Sequence, residues 1–218
     1  SSKLLYPPDM IEPMFTVTDI LLKSIATQWA GINISPQTFN DMWCTIGIAG
    51  FMAISFIKKL MGANEFRYRL RKQMDKVVAE DVGRHAIASQ PFKYPVSEDD
   101  LSFVWLKSPI VLFILDNRMT KTDKSFGLSR VLPKLFLQAM SGSLPNGTLN
   151  TEHFRYVCEK VNRNKLENFF KQWVFGTGAP VFRISQRFNK KKGMIEMNIR
   201  QVQHHERTPK KLDSSSFI

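Results

Sequence analysis

Three observations predict a mainly α-helical chain with a β extension. Apolar residues recur at helical spacing through most of the first 175 positions, proline and glycine punctuate them, and the period drops to two after Gly176 and Gly178. Thr16, Thr18 or Asp19 is a candidate cap for a first helix carrying Ile20, Leu21, Leu22, Ile25 and Trp29, stopped at Gly31. Pro36 opens a loop toward Asn40 and Asp41. From Gly47 to Leu60 the chain is apolar almost all round, as in a helix enclosed by protein, and Asn64 is placed to cap a basic amphipathic helix ending near Val78.

Residues 81–100 read as a polar connection. A further helix is expected from Asp99 to Leu115, interrupted or entered at Pro109, because proline lacks the amide hydrogen and clashes one turn back. Others are expected at Leu128–Met140, Thr151–Val161 and Leu166–Trp173. Beyond them Phe182, Ile184 and Phe188 alternate with Arg183 and Arg187, and Ile195, Met197 and Ile199 alternate with Glu196 and Asn198. Residues Asn189–Gly193 then form the turn of a hairpin. A lone hairpin is marginal in water, so these strands read as the opening of a larger β domain.

The composition of the 218 residues, 43% hydrophobic and 23% charged, argues against disorder and fibrous repeats. Ile46–Ile57, the longest apolar run, is shorter than the roughly 20 residues of a membrane span. The first ten residues lack a signal-peptide pattern. Cys44 and Cys158 are too few for a disulfide framework and read as small buried hydrophobes in a reducing compartment. The net charge of +12 is uneven: residues 1–57 hold two basic and four acidic groups, whereas residues 181–211 hold nine and two.

Residues 23–31 read KSIATQWAG and residues 39–50 read FNDMWCTIGIAG, with Pro36 between them. This resembles the gluzincin zinc aminopeptidases, whose pattern is HExxHQWFG, a proline-containing stretch, then WNDxWLNEGFA. Gln28, Trp29, Gly31, Pro36, Asn40, Asp41, Trp43, Gly47 and Ala49 match. The segment Phe169–Phe182 is similar to the family's FxxxWxxxxGYPV junction, and Leu4–Pro8 to the LLYDP stretch that follows its peptide-binding GAMEN strand, which lies outside this sequence. The resemblance implies the helical half of a thermolysin-like domain, incomplete on its N-terminal side, over residues 1–175. It also implies the start of a β-sandwich domain over residues 176–218.

Carried across residue by residue, the zinc-binding histidines become Lys23 and Thr27, the general-base glutamate becomes Ser24, and the third ligand becomes Ile46. The tyrosine of the family's YxKG segment, which stabilises the oxyanion, becomes Trp105. Lysine, with a reference pKa of about 10.4, ligates only when deprotonated; threonine is a poor zinc donor, isoleucine has no lone pair, and serine cannot take a proton from water as a carboxylate does. The resemblance is therefore to degenerate members that serve as subunits of a general transcription factor. It implies a nuclear, non-catalytic scaffold without cofactor, metal, membrane or small-molecule substrate, whose partners are other subunits and core-promoter double-stranded DNA met through its backbone. A peptide-binding module that keeps the old substrate cleft, and a peptidase with displaced ligands, are the alternatives.

The remaining candidates have two readings each. Lys23 either pairs or snorkels to water, or places its ammonium where zinc stood. Arg67, Arg69, Arg71, Lys72 and Lys76 on one helix, and Lys190, Lys191 and Lys192 in the hairpin turn, are either solvated faces or phosphate contacts. Of these, Arg67, Arg71, Lys72 and Lys190–Lys192 are the candidate nucleic-acid-binding residues; no base-reading motif accompanies them. His85, His153, His204 and His205 have no partner at metal-ligand helical spacing and read as surface or capping residues. Phe51, Phe56, Phe169 and Phe170 read as core, with Val174 and Phe175 at the helix-to-strand junction.

Overall fold

The computed structural model describes residues 11–88, 97–120 and 126–202. Leu4–Pro8, His204 and His205 lie outside the described residues. Among the described residues, seven α-helices are followed by two antiparallel strands: α1 Ile11–Trp29, α2 Met42–Met61, α3 Ala63–Glu80, α4 Glu98–Met119, α5 Leu128–Met140, α6 Thr151–Asn162, α7 Glu167–Trp173, β1 Val181–Asn189 and β2 Met194–Val202. The architecture is the expected helical region with a β extension.

Helix α2 is the axis of the core and packs against α1, α3 and α4. It begins five residues before the apolar run suggested. With the short turn that precedes it, Phe39–Met61 is long and apolar enough by composition to cross a membrane, but 56% of its most apolar window is buried inside the protein. Its apolar surface is used on neighbouring helices. Gly50 allows the closest of these contacts, since a Cβ there would lie 2.3 Å from Cγ of Pro109. Pro109 therefore sits inside a continuous α4 and does not interrupt it: the ring packs on Gly50, and tertiary packing outweighs one missing backbone hydrogen bond.

Several boundaries move for identifiable reasons. Helix α1 starts upstream of Thr16, Thr18 and Asp19, which lie within it, because Pro13 is tolerated in a first turn whose amide hydrogens need no intrahelical partner. Gly31 does end it, at φ 142°, a conformation that strains any other residue. The N-cap of α3 is Gly62, and Asn64 lies inside the helix without capping it. The small residues Ala26 on α1 and Ala30 just past its end are buried, whereas Ile20, Leu21, Ile25 and Trp29 remain exposed. Phe56, expected in the core, is 49% exposed on α2, one position from buried Ile57. Phe169, Phe170 and Val174 are buried as expected.

The hairpin pairs Val181 with Val202 through Asn189 with Met194. Because side chains alternate, Phe182, Ile184, Phe188, Ile195, Met197 and Ile199 share one face while Arg183, Arg187, Glu196 and Arg200 share the other. The whole apolar face is exposed among the described residues.

Candidate functional site

The residues of the aminopeptidase-like pattern separate into a buried brace and an open cleft. In the brace, the Pro36 loop pairs with the segment before α6: Leu149 N–H donates to Ser35 O at 2.8 Å and Gln37 N–H donates to Leu149 O at 2.9 Å. This brings Asp41 to the start of α6, where its Oδ1 accepts from both the backbone N–H and the hydroxyl of Thr151, each at 2.8 Å. Its Oδ2 accepts from Thr38 Oγ1 at 2.6 Å. Trp43 has no solvent exposure and donates from Nε1 to the same Thr151 hydroxyl at 3.0 Å. A carboxylate at a helix N-terminus also meets the positive end of the helix dipole. The retained Asn-Asp-x-Trp residues thus include two that fix the fold.

The cleft, of about 780 Å³, is walled by α1, α3 and α4 over a floor of α2. Its floor is Gly50, Ala53, Ile54 and Ile57, and its walls include Asp19 and Lys23 of α1, Tyr68, Arg69 and Lys72 of α3, and Trp105 of α4. Arg69 braces the mouth, donating to Asp19 on α1 and to Glu65 on its own helix. Gln73 Nε2 donates to Leu106 O at 2.8 Å and ties α3 to α4.

Of the five degenerate positions, Lys23 and Trp105 meet in this cleft and the other three are absent from its lining. Thr27 Oγ1 donates to Lys23 O at 2.8 Å, so its hydroxyl is engaged by its own helix. Ser24 is exposed on α1 and Ile46 is 6% exposed in the core. Among the described residues no group of three or more His, Cys, Asp or Glu side chains is arranged to hold a metal ion. The donor chemistry agrees: an ammonium, two aliphatic hydroxyls and a sec-butyl side chain do not make a zinc site. Burial pushes the thiols of Cys44 and Cys158 well up, leaving them protonated and unsuited to nucleophilic or ligand roles at neutral pH.

The neighbour of Trp105 in the YxKG-like segment faces the other way. Lys107 Nζ donates to Asp81 Oδ2 at 2.6 Å, and both side chains are almost completely buried. The basic residues of α3 also divide. Lys72 faces the cleft, while Arg67 and Arg71 are exposed and do not line it; Arg71 Nε donates to Asp75 at 3.0 Å. Lys190, Lys191 and Lys192 are exposed at the hairpin turn. Toward the other end of the hairpin, six pairs from Asn189 and Met194, Arg183 and Arg200 are direct cross-strand partners on the polar face. The carboxyl of Glu196 on that face is held below the usual carboxylate range by its hydrogen bonds from Arg187 and Asn189.

Sequence reasoning did not find Thr151, whose partners lie more than a hundred residues away. Nor did it single out Arg183 and Arg200, although a register counted back from the Asn189–Gly193 turn places them opposite each other.

The helical scaffold thus keeps an aminopeptidase-like pattern whose ligand and base positions, Lys23, Ser24, Thr27 and Ile46, hold no zinc-binding side chain. Over most of its length the chain is similar to curated proteins of one kind. It is 50% identical over 212 residues to transcription initiation factor TFIID subunit 2 of Saccharomyces cerevisiae, an alignment covering 94% of this chain and 15% of that protein. It is 41% identical over 218 residues to TFIID subunit 2 of Schizosaccharomyces pombe, covering 100% of this chain and 19% of that protein. The TFIID subunit 2 of Gallus gallus is 24% identical over 229 residues, 92% of this chain and 19% of the relative. Residues 177–216 match the family model described as the TAF2 Ig-like domain. The chain is homologous to TFIID subunit 2, and it spans less than a quarter of the length of these relatives.

Proposed function

We propose that this chain is part of a non-catalytic, nuclear scaffold subunit of TFIID, which helps to assemble that complex with other subunits and contacts core-promoter double-stranded DNA. The observation that carries the reading is the 50% identity to TFIID subunit 2 across 94% of the chain, together with the loss of every zinc donor at Lys23, Thr27 and Ile46. In this reading residues 1–175 form the aminopeptidase-like helical domain and residues 176–218 open a β-sandwich. The DNA contact is to phosphates: Lys190, Lys191 and Lys192 form one cationic cluster at the turn, Arg183 and Arg200 add charge toward the other end of the hairpin, and Arg67 and Arg71 supply charge on the outer face of α3. Such contacts give affinity with a steep salt dependence and little base selection.

The test is duplex binding by the full-length protein, alone and in the assembled complex, across a salt series. Replacing Lys190, Lys191 and Lys192 with Glu is expected to weaken binding to different duplexes uniformly and to lower the salt slope by about one for each lost phosphate contact. A salt-independent affinity, or one unchanged by the triple substitution, rejects the phosphate-contact assignment. A second reading, in which the former substrate cleft holds a partner's peptide segment, is supported by the braced 780 Å³ cavity that keeps Lys23 and Trp105 on its walls.

A further inference from the structure

The cleft has more positive charge than its own walls neutralise. Arg69 is committed to Asp19 and Glu65, and Lys76 has Glu80 at 3.7 Å. Lys23 and Lys72 also line the cleft, are exposed, and have no carboxylate partner among the described residues. Beneath them the floor is Ala53, Ile54 and Ile57, and at the rim Tyr68 is 63% exposed with Trp105 half-buried. A cavity of this size, with an apolar floor and a few convergent charges, has the character of a ligand site.

Two unpaired ammoniums above an apolar trough select a segment that presents carboxylates and hydrophobic side chains together. We propose that this cleft docks an acidic peptide segment of a neighbouring subunit, with carboxylates on Lys23 and Lys72 and apolar side chains on the α2 floor between Tyr68 and Trp105. This rests on the second reading above and adds the chemistry of the occupant. Duplex DNA is the poorer fit: its phosphate surface brings no hydrophobic side chain to the Ala53, Ile54 and Ile57 floor, and that floor offers phosphate no donor. The bracing by Arg69 and Gln73 holds the trough open, so little ordering is needed on binding.

The full-length protein is titrated into a fluorescein-labelled peptide EDLEDFEDLE and, in parallel, its amide counterpart QNLQNFQNLQ. The acidic probe is expected to bind about tenfold or more tightly than the amide probe, with affinity falling as salt rises. The pair Lys23→Glu and Lys72→Glu is expected to remove that preference without changing Tm, while Lys190→Glu with Lys191→Glu leaves it intact. With Tyr68 replaced by a photo-crosslinking phenylalanine, irradiation of the assembled complex is expected to label an acidic segment of another subunit. Equal binding of both probes, or labelling of a non-acidic segment, overturns the charge selection and leaves a peptide-holding cleft standing. No peptide adduct at Tyr68 together with no probe binding overturns the cleft reading as well. Displacement of the acidic probe by a 20-base-pair duplex, with loss of duplex binding in the Lys23 and Lys72 variant, replaces the peptide with nucleic acid and also overturns the proposal.

Discussion

Asp41 and Lys23 belong to one aminopeptidase-like pattern and live under opposite physical constraints. Around Asp41 the carboxylate, the Trp43 indole and the Thr151 hydroxyl are buried and satisfied, and Trp43 and Thr151 depend on one another's hydrogen bonds. Around Lys23 the wall is open and water can solvate whatever stands there. A buried polar group without its partner costs far more than an exposed one, so the brace tolerates little substitution and the cleft wall tolerates a great deal. Loss of catalytic side chains therefore left the scaffold standing. The same segment of α4 repeats the contrast over two residues, with Trp105 in the cleft and Lys107 in the core.

The largest effect that would sharpen this contrast is expected at Lys107. Lys107→Met leaves Asp81 as an unpaired buried charge, and chemical denaturation should register a loss of about 3–5 kcal/mol. Asp41→Ala is expected to cost about 2–4 kcal/mol, because Thr151 loses the acceptor for two donors at the start of α6; Asp41→Asn should recover part of it.

A smaller effect, of opposite sign, is expected at Asp116. Burial raises its carboxyl above the ordinary value, although its Oδ1 accepts from Leu128 N–H at 2.7 Å. The native state therefore holds this proton more tightly than the unfolded chain. Stability from this group is present below the unfolded pKa and is lost as pH rises through the raised native one. Asp116→Asn keeps an acceptor for Leu128, so its Tm relative to the parent should rise between acid and neutral pH. The smallest effect is expected at the cleft wall: Lys23→Met should change stability by less than about 0.5 kcal/mol. A loss at Lys23 as large as that at Asp41 would break the comparison, since it would mean that the ammonium holds the old site together.

Helical periodicity and turn residues made most of the fold legible: α5, α6, α7 and the hairpin fall within a residue or two of expectation. Pro109 misled because a proline reads as a break until its ring is seen to fill the space left by Gly50. The exposed side chains of Ile20, Ile25 and Trp29 show that periodicity identifies an apolar stripe without telling what covers it. For the candidate site, the aligned motif located Lys23 and Trp105, which do share a cleft. It could not locate Arg69 or Tyr68 there, because their place depends on how α3 turns its faces against α1 and α4. The basic residues of α3 read as one cluster in sequence, whereas a rotation of about 100° per residue sends Lys72 and Arg71 to different surroundings.

The bond from Thr151 to Asp41 joins positions 110 apart. During synthesis, the first two helices must wait on the ribosome until Thr151 of this 218-residue stretch has emerged before their latch can close. Until then the apolar α2 has no finished seat, and contacts this distant in sequence form slowly. The nascent chain should consequently be a client of chaperones during that interval, whatever the stability of the finished protein.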